Sequence, residues 1–189
     1  MKTLFGGLLF LSVLNLQLFA GVKEALAAKA RGDYQVAYKE FLALAEKGDA
    51  KSMIDLGVMH HTGEGVTKDY GKAMDWYIKA FKLGEGEAYN NIGVMYRDGL
   101  GVQTNRQIAY AIFFITHMRG LGNDGTQIRA GRNLDKTVAL LKQTEIEETI
   151  KFAEKYVLTF VEKRGKLEEK EKALKFSKQH PTLQDLSKL

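Results

Sequence analysis

The sequence predicts an all-α fold, a stacked array of antiparallel helix pairs. Three observations carry this expectation. A block of residues returns at a fixed interval: residues 56–70 read LGVMHHTGEGVTKDY and residues 92–106 read IGVMYRDGLGVQTNR, offset by 36. The glycines of that block punctuate runs whose apolar residues fall at helical spacing. The chain has one proline, Pro181, so nothing before its C-terminal end interrupts a helix.

The first element is MKTLFGGLLFLSVLNLQLFA, residues 1–20. Lys2 precedes an apolar run from Leu4 to Leu14, Asn15 and Gln17 follow, and Ala20 supplies a small residue. This is the order of a secretory signal peptide cut after Ala20, with a cut near Ala27 as second choice. The alternative is an uncleaved anchor, but the run is short against the roughly 20 residues of a spanning helix. The sequence therefore predicts a leader over 1–20, a helical repeat domain over 21–162 and a charged tail over 163–189.

Within the domain, residues 23–47 supply an opening pair, with GVKEALAAKARG as a short first helix. Two full repeat cores follow, 50–85 and 86–121. The first helix of each spans about 50–61 and 86–97. Met53, Leu56, Gly57 and His60 mark its buried side in one copy, and Tyr89, Ile92, Gly93 and Tyr96 in the other. Gly57 and Gly93 are expensive in a helix interior, at about 1 kcal/mol each relative to alanine. Repeating that cost implies close approach of the partner helix. The second helix starts near Asp69 or Asn105, both good N-caps. Ala73, Trp76, Tyr77 and Ala80, or Ala109, Ile112, Phe113 and Thr116, form its packing stripe. Gly84 and Gly120 end it. A degenerate closing pair runs from Gly122 to about 162, its last helix opened by a Thr144/Glu147 capping box. The outer units of an array must differ in order to face water. The tail is lysine-rich and poor in core residues, and is expected to fray and then become disordered.

Composition narrows the function. There is no cysteine, which excludes disulfides, thiolate metal sites, a cysteine nucleophile and a lipid-modified N-terminal cysteine. The net charge of +5 resides at the ends, since residues 163–189 hold 8 basic and 4 acidic residues. The body, 21–162, holds 19 of each. A neutral body lacks the basic face a nucleic acid requires.

The motif LG-x-MY-x-x-G-x-GV-x-x-D-x-x-KA-x-x-W-x-x-KA is matched almost throughout residues 56–80, with His60 in place of Tyr. The second copy keeps IGVMYRDGLGV but has Asn105 for Asp and Ile112 for Trp. This pattern resembles that of the Sel-1-like repeats (SLR), relatives of the tetratricopeptide repeats, over residues 33–122. The resemblance implies a right-handed superhelical solenoid. It also implies non-catalytic binding of protein segments on a concave face lined by the first helix of each pair. The candidate partner-binding residues are Lys51, Asp55, Val58 and Thr62, and their repeat partners Glu87, Asn91, Val94 and Asp98.

Other chemistries fit the residues less well. His60 and His61 point about 100° apart on a helix, and metal pairs there normally use i, i+4 spacing. Their copies are Tyr96 and Arg97, so no metal is expected. A phosphate loop needs a Lys behind its glycines, and Lys68 becomes Thr104 in the second copy. Trp76 and Tyr77 fall on the packing stripe and are expected in the core. No nucleophile-and-base arrangement emerges, so neither an enzyme nor a cofactor is expected. The expected role is a protein-binding scaffold in a bacterial periplasm or outside the cell, without stable membrane insertion after signal cleavage. The alternative is an inhibitor or immunity-type protein that occupies one toxin or hydrolase.

Overall fold

The computed structural model describes residues 20–164, Arg119 excepted, with side chains as far as Lys155. The leader ahead of residue 20 and the tail beyond residue 164 lie outside the described residues. All regular structure among the described residues is α-helical. The chain divides between Leu83 and Gly84 into two compact units.

The first unit holds α1 (20–31), α2 (Tyr34–Glu46), α3 (Ala50–Thr62) and α4 (Tyr70–Lys82). Its core is rich in small residues, with Ala25, Ala28, Ala37, Ala73 and Ala80 fully buried around Phe41, Leu56, Met59 and Tyr77. Alanine lets helix axes approach while contributing the best intrinsic helix propensity. Each helix of the α3–α4 hairpin starts on a side-chain cap. Asp49 accepts the Ser52 amide at 2.8 Å, and Asp69 accepts the Lys72 amide at 3.0 Å.

The turn between α3 and α4 explains the paired glycines. Gly63 and Gly65 have φ of 86° and 71°, the left-handed region that only glycine enters without strain. The Gly63 and Glu64 amides both donate to the Met59 carbonyl, closing the end of α3. The Asp69 amide donates to the His60 carbonyl at 2.8 Å and fixes where α4 starts. The loop amides thus serve their own helix terminus. At Gly65 a Cβ would meet the backbone of Tyr34, so α2 also rests on this turn.

The second unit repeats the device. Its helices are α5 (Gly86–Asp98), α6 (Arg106–Met118), α7 (Asp124–Val138) and α8 (Gln143–Arg164). Gly99 and Gly101 have φ of 70°, the Asn105 amide donates to the Tyr96 carbonyl at 2.8 Å, and Asn105 caps Ile108 at 2.9 Å. Helix α6 packs against α5, α7 and α8. Its whole run from Ala109 to Thr116 is buried, not only the four stripe positions the spacing indicates. The run IAYAIFFIT offers no polar face, which is the signature of a helix surrounded on all sides. Burial, helped by Glu154 and Asp135, pushes the Tyr110 hydroxyl well above its usual range.

Two local expectations need correction. Helix α8 begins at Gln143, and the reciprocal bond is from the Lys142 amide to Glu145 (2.9 Å). Glu147 instead pairs with Lys151 at 2.6 Å, so no Thr144/Glu147 box forms. Trp76 is half-buried, with Lys79 Nζ 3.8 Å from its ring centroid, while Tyr77 is 1% exposed. The core takes Tyr77 alone.

The helical glycines are contact points. A Cβ at Gly57 would lie 2.6 Å from Tyr77 Cδ1, and one at Gly93 would lie 2.6 Å from Phe113 Cε1. In each hairpin an aromatic ring from the second helix occupies the space a side chain on the first would need. Gly57→Leu is expected to destabilise the chain by about 1–3 kcal/mol. In a double-mutant cycle with Tyr77→Ala the two losses should be less than additive. An unchanged melting temperature for Gly57→Leu would refute the contact.

His60 is 4% exposed and meets Tyr38 of α2, with Nε2 3.3 Å from the phenol oxygen and the rings edge to face. Burial first, and then Lys72, lower its pKa from the ordinary 6.5, against smaller opposing effects of Asp69 and the backbone at Thr67. Below pH 6.5 the unfolded chain takes up a proton that the fold resists. The stability associated with His60 is therefore complete above that pH and is lost as pH falls toward the lowered value. Denaturant midpoints measured across this range should show that slope, and His60→Tyr, the residue of the second copy, should remove it. An equal slope in the variant would show that other groups cause it.

Candidate protein-binding face

Helix periodicity brings Lys51, Asp55, Val58 and Thr62 onto one side of α3, and Glu87, Asn91, Val94 and Asp98 onto one side of α5. Each unit carries its own copy of the stripe. Lys51, Thr62, Glu87 and Asp98 are exposed, and Asp55, Val58, Asn91 and Val94 are half-buried. Both stripes therefore have a partly covered apolar centre, Val58 or Val94, between polar ends.

The structure adds residues that the sequence did not reveal. Lys29 of α1 reaches Asp55, with Nζ 2.6 Å from Oδ1. Arg129 of α7 reaches Glu87 at 3.2 Å. In both units a first helix of one pair holds a carboxylate on the first helix of a neighbouring pair. A second link lies beside the α5 stripe. Arg97 Nη1 donates to Asn133 at 2.9 Å, and Asn133 donates to the buried Asn90 at 3.0 Å. Arg97 also forms a two-pronged pair with Asp98, both bonds at 2.7 Å, which holds that carboxyl below its usual range. Lys29 and Arg129 do not lie one repeat interval from each other, so comparing copies could not find them. Thr62 turns its hydroxyl back to the Val58 carbonyl at 3.0 Å.

The histidines are engaged separately. His60 faces Tyr38, whereas His61 stands edge to face with Tyr70 at 5.3 Å. Among the described residues no group of three His, Asp or Glu side chains is arranged to hold a metal ion. Among them, too, no helix is long and apolar enough to cross a membrane.

Comparison with known proteins bears on the repeats and the fold. The Sel1 repeat model matches residues 50–85 and 86–113. A protective antigen present in uropathogenic Escherichia coli strains, displaying an SLR fold, superposes with a TM-score of 0.61 at 24% identity. The match covers 74% of this chain and 30% of that one. A Sel1 repeat protein from Oxalobacter formigenes gives a TM-score of 0.40 at 22% identity, over 68% of this chain and 50% of that one. This chain thus spans under a third of the first structure's length and half of the second's. No curated protein matches. Sel1 repeats generally serve as protein-interaction modules and are typically non-catalytic. The chain carries two Sel1 repeats, over residues 50–85 and 86–113, in an all-α fold of the SLR type.

Proposed function

We propose that this protein is a non-catalytic binding module for protein partners, exported to a bacterial periplasm or beyond, and that it binds through the stripes on α3 and α5. One observation carries the reading. Each repeat presents a stripe of polar residues around a central valine, and in each a stripe carboxylate, Asp55 or Glu87 at non-equivalent positions, is paired with a cation from a neighbouring first helix. A carboxylate held in place loses less entropy on binding than a free one. The half-buried valines offer a partner segment apolar area, and the exposed ends set its register.

Export rests on residues 1–20 alone, whose pattern is that of a cleaved leader. Their removal leaves a chain that starts at the opening helix pair.

The test is affinity capture from envelope extracts with the mature chain, beside a Val58→Lys/Val94→Lys variant. Both sites are partly solvent-facing, so the variant is expected to fold and to lose captured protein that the parent retains. Equal capture by both would reject the stripe. Sequencing the N-terminus of exported protein should give Gly21 first, and Met1 there would reject the cleaved leader.

A further inference from the structure

Three buried side-chain polar atoms among the described residues lack a hydrogen-bond partner: His60 Nδ1, Arg106 Nε and Thr149 Oγ1. His60 belongs to the first unit. The other two residues, on α6 and α8, both line one open cavity of about 290 Å3 in the second unit. Buried polar groups in folded proteins are paired with few exceptions, so two orphans at one cavity require a cause.

Thr149 is the more telling. It is fully buried. A buried helical threonine commonly returns its hydroxyl to the carbonyl four residues back. The buried Thr116 and Thr137 do so here, at 2.8 and 2.6 Å. Thr149 does not. Thr149 belongs to the cavity lining while its hydroxyl is out of contact with solvent, so engaging a ligand requires a change of its staggered χ1 well.

The cavity walls carry opposite charge. On one side is the first turn of α6, where Asn105 caps Ile108 and Arg106 joins the lining. The opening amides of a helix have no partner within it and favour an anion. On the other side are Glu145 and Glu148 of α8. Arg106 forms no ion pair with either glutamate among the described residues. Leu141 is the apolar side chain of the lining.

We propose that this cavity binds a small zwitterion of the α-amino-acid class. Its carboxylate accepts from Arg106, the α6 amides and Thr149, and its ammonium donates to Glu145 and Glu148. An anion alone would stand opposite Glu145 and Glu148, and a cation alone would stand opposite Arg106. The volume sits near the lower end for ligand pockets, about 300–1,000 Å3. That suits one amino acid and not a protein segment. The site uses neither valine stripe, so it stands or falls separately from the protein-binding reading.

The test is thermal unfolding of the full chain with L-serine up to about 50 mM, beside lactate and ethanolamine, which each lack one charged end. L-serine alone should raise the melting temperature, in a concentration-dependent manner. Thr149→Val, close in volume, and Glu148→Gln, at an exposed position, should each weaken binding about tenfold or more, and Thr137→Val should not. The Glu148 variant decides the matter if Thr149→Val fails to fold. No rise with L-serine, an equal rise with lactate or ethanolamine, or a rise unaltered by Glu148→Gln would overturn the proposal.

Discussion

The contact between a glycine on the first helix and an aromatic ring on the second is the constraint on which each repeat depends. Gly57 with Tyr77 and Gly93 with Phe113 set how near the two helices lie. The distance between helices in turn fixes the length and shape of the turn between them. The turn must reverse the chain quickly, which needs left-handed backbone at Gly63 and Gly65, or at Gly99 and Gly101. A single amide-to-carbonyl bond, Asp69 to His60 or Asn105 to Tyr96, then locks the start of the second helix. In each repeat three glycines and one ring thus form a unit, and they return together 36 residues later.

This coupling explains why so much of the fold was legible in the sequence. A glycine that survives in a helix interior advertises a contact, because its propensity cost must be offset elsewhere. Comparing two copies separates such positions from accidental ones. It dismissed the His60–His61 pair as a motif, since the second copy has Tyr96 and Arg97. It placed the ends of α3 and α5 to within one residue. Where no second copy exists the reading loses precision. The start of α8 was misplaced because Thr144 and Glu147 and the true Lys142/Glu145 pair differ by only two positions and look alike. The full burial of α6 was missed because a stripe inferred from α4 was carried over to a helix with three neighbours instead of fewer. Trp76 was assigned to the core on the same stripe, although its large ring is accommodated half-exposed under Lys79.

The candidate site was legible only in part, for a related reason. Helical periodicity shows which residues share a face, but not what stands opposite them. Lys29 and Arg129 sit at non-equivalent positions of α1 and α7, yet each reaches a stripe carboxylate. Only the packed structure places them there. The Asn90–Asn133–Arg97 chain was hidden in the same way, since its members come from two helices and look like ordinary polar residues in the sequence.

On the proposed reading, those cations order the face. The pairs at Asp55 and Glu87 are at least partly exposed, and such pairs contribute about 0–1 kcal/mol. The fold does not depend on them, because the glycine–aromatic contacts and the alanine-lined core already hold each hairpin together. What an exposed pair does provide is position. It keeps a carboxylate from sampling many rotamers and balances its charge without burying it. A surface meant only for water gains little from that order. A surface that must accept one partner and refuse others gains selectivity, because a fixed charge opposes a mismatched group as firmly as it attracts the right one.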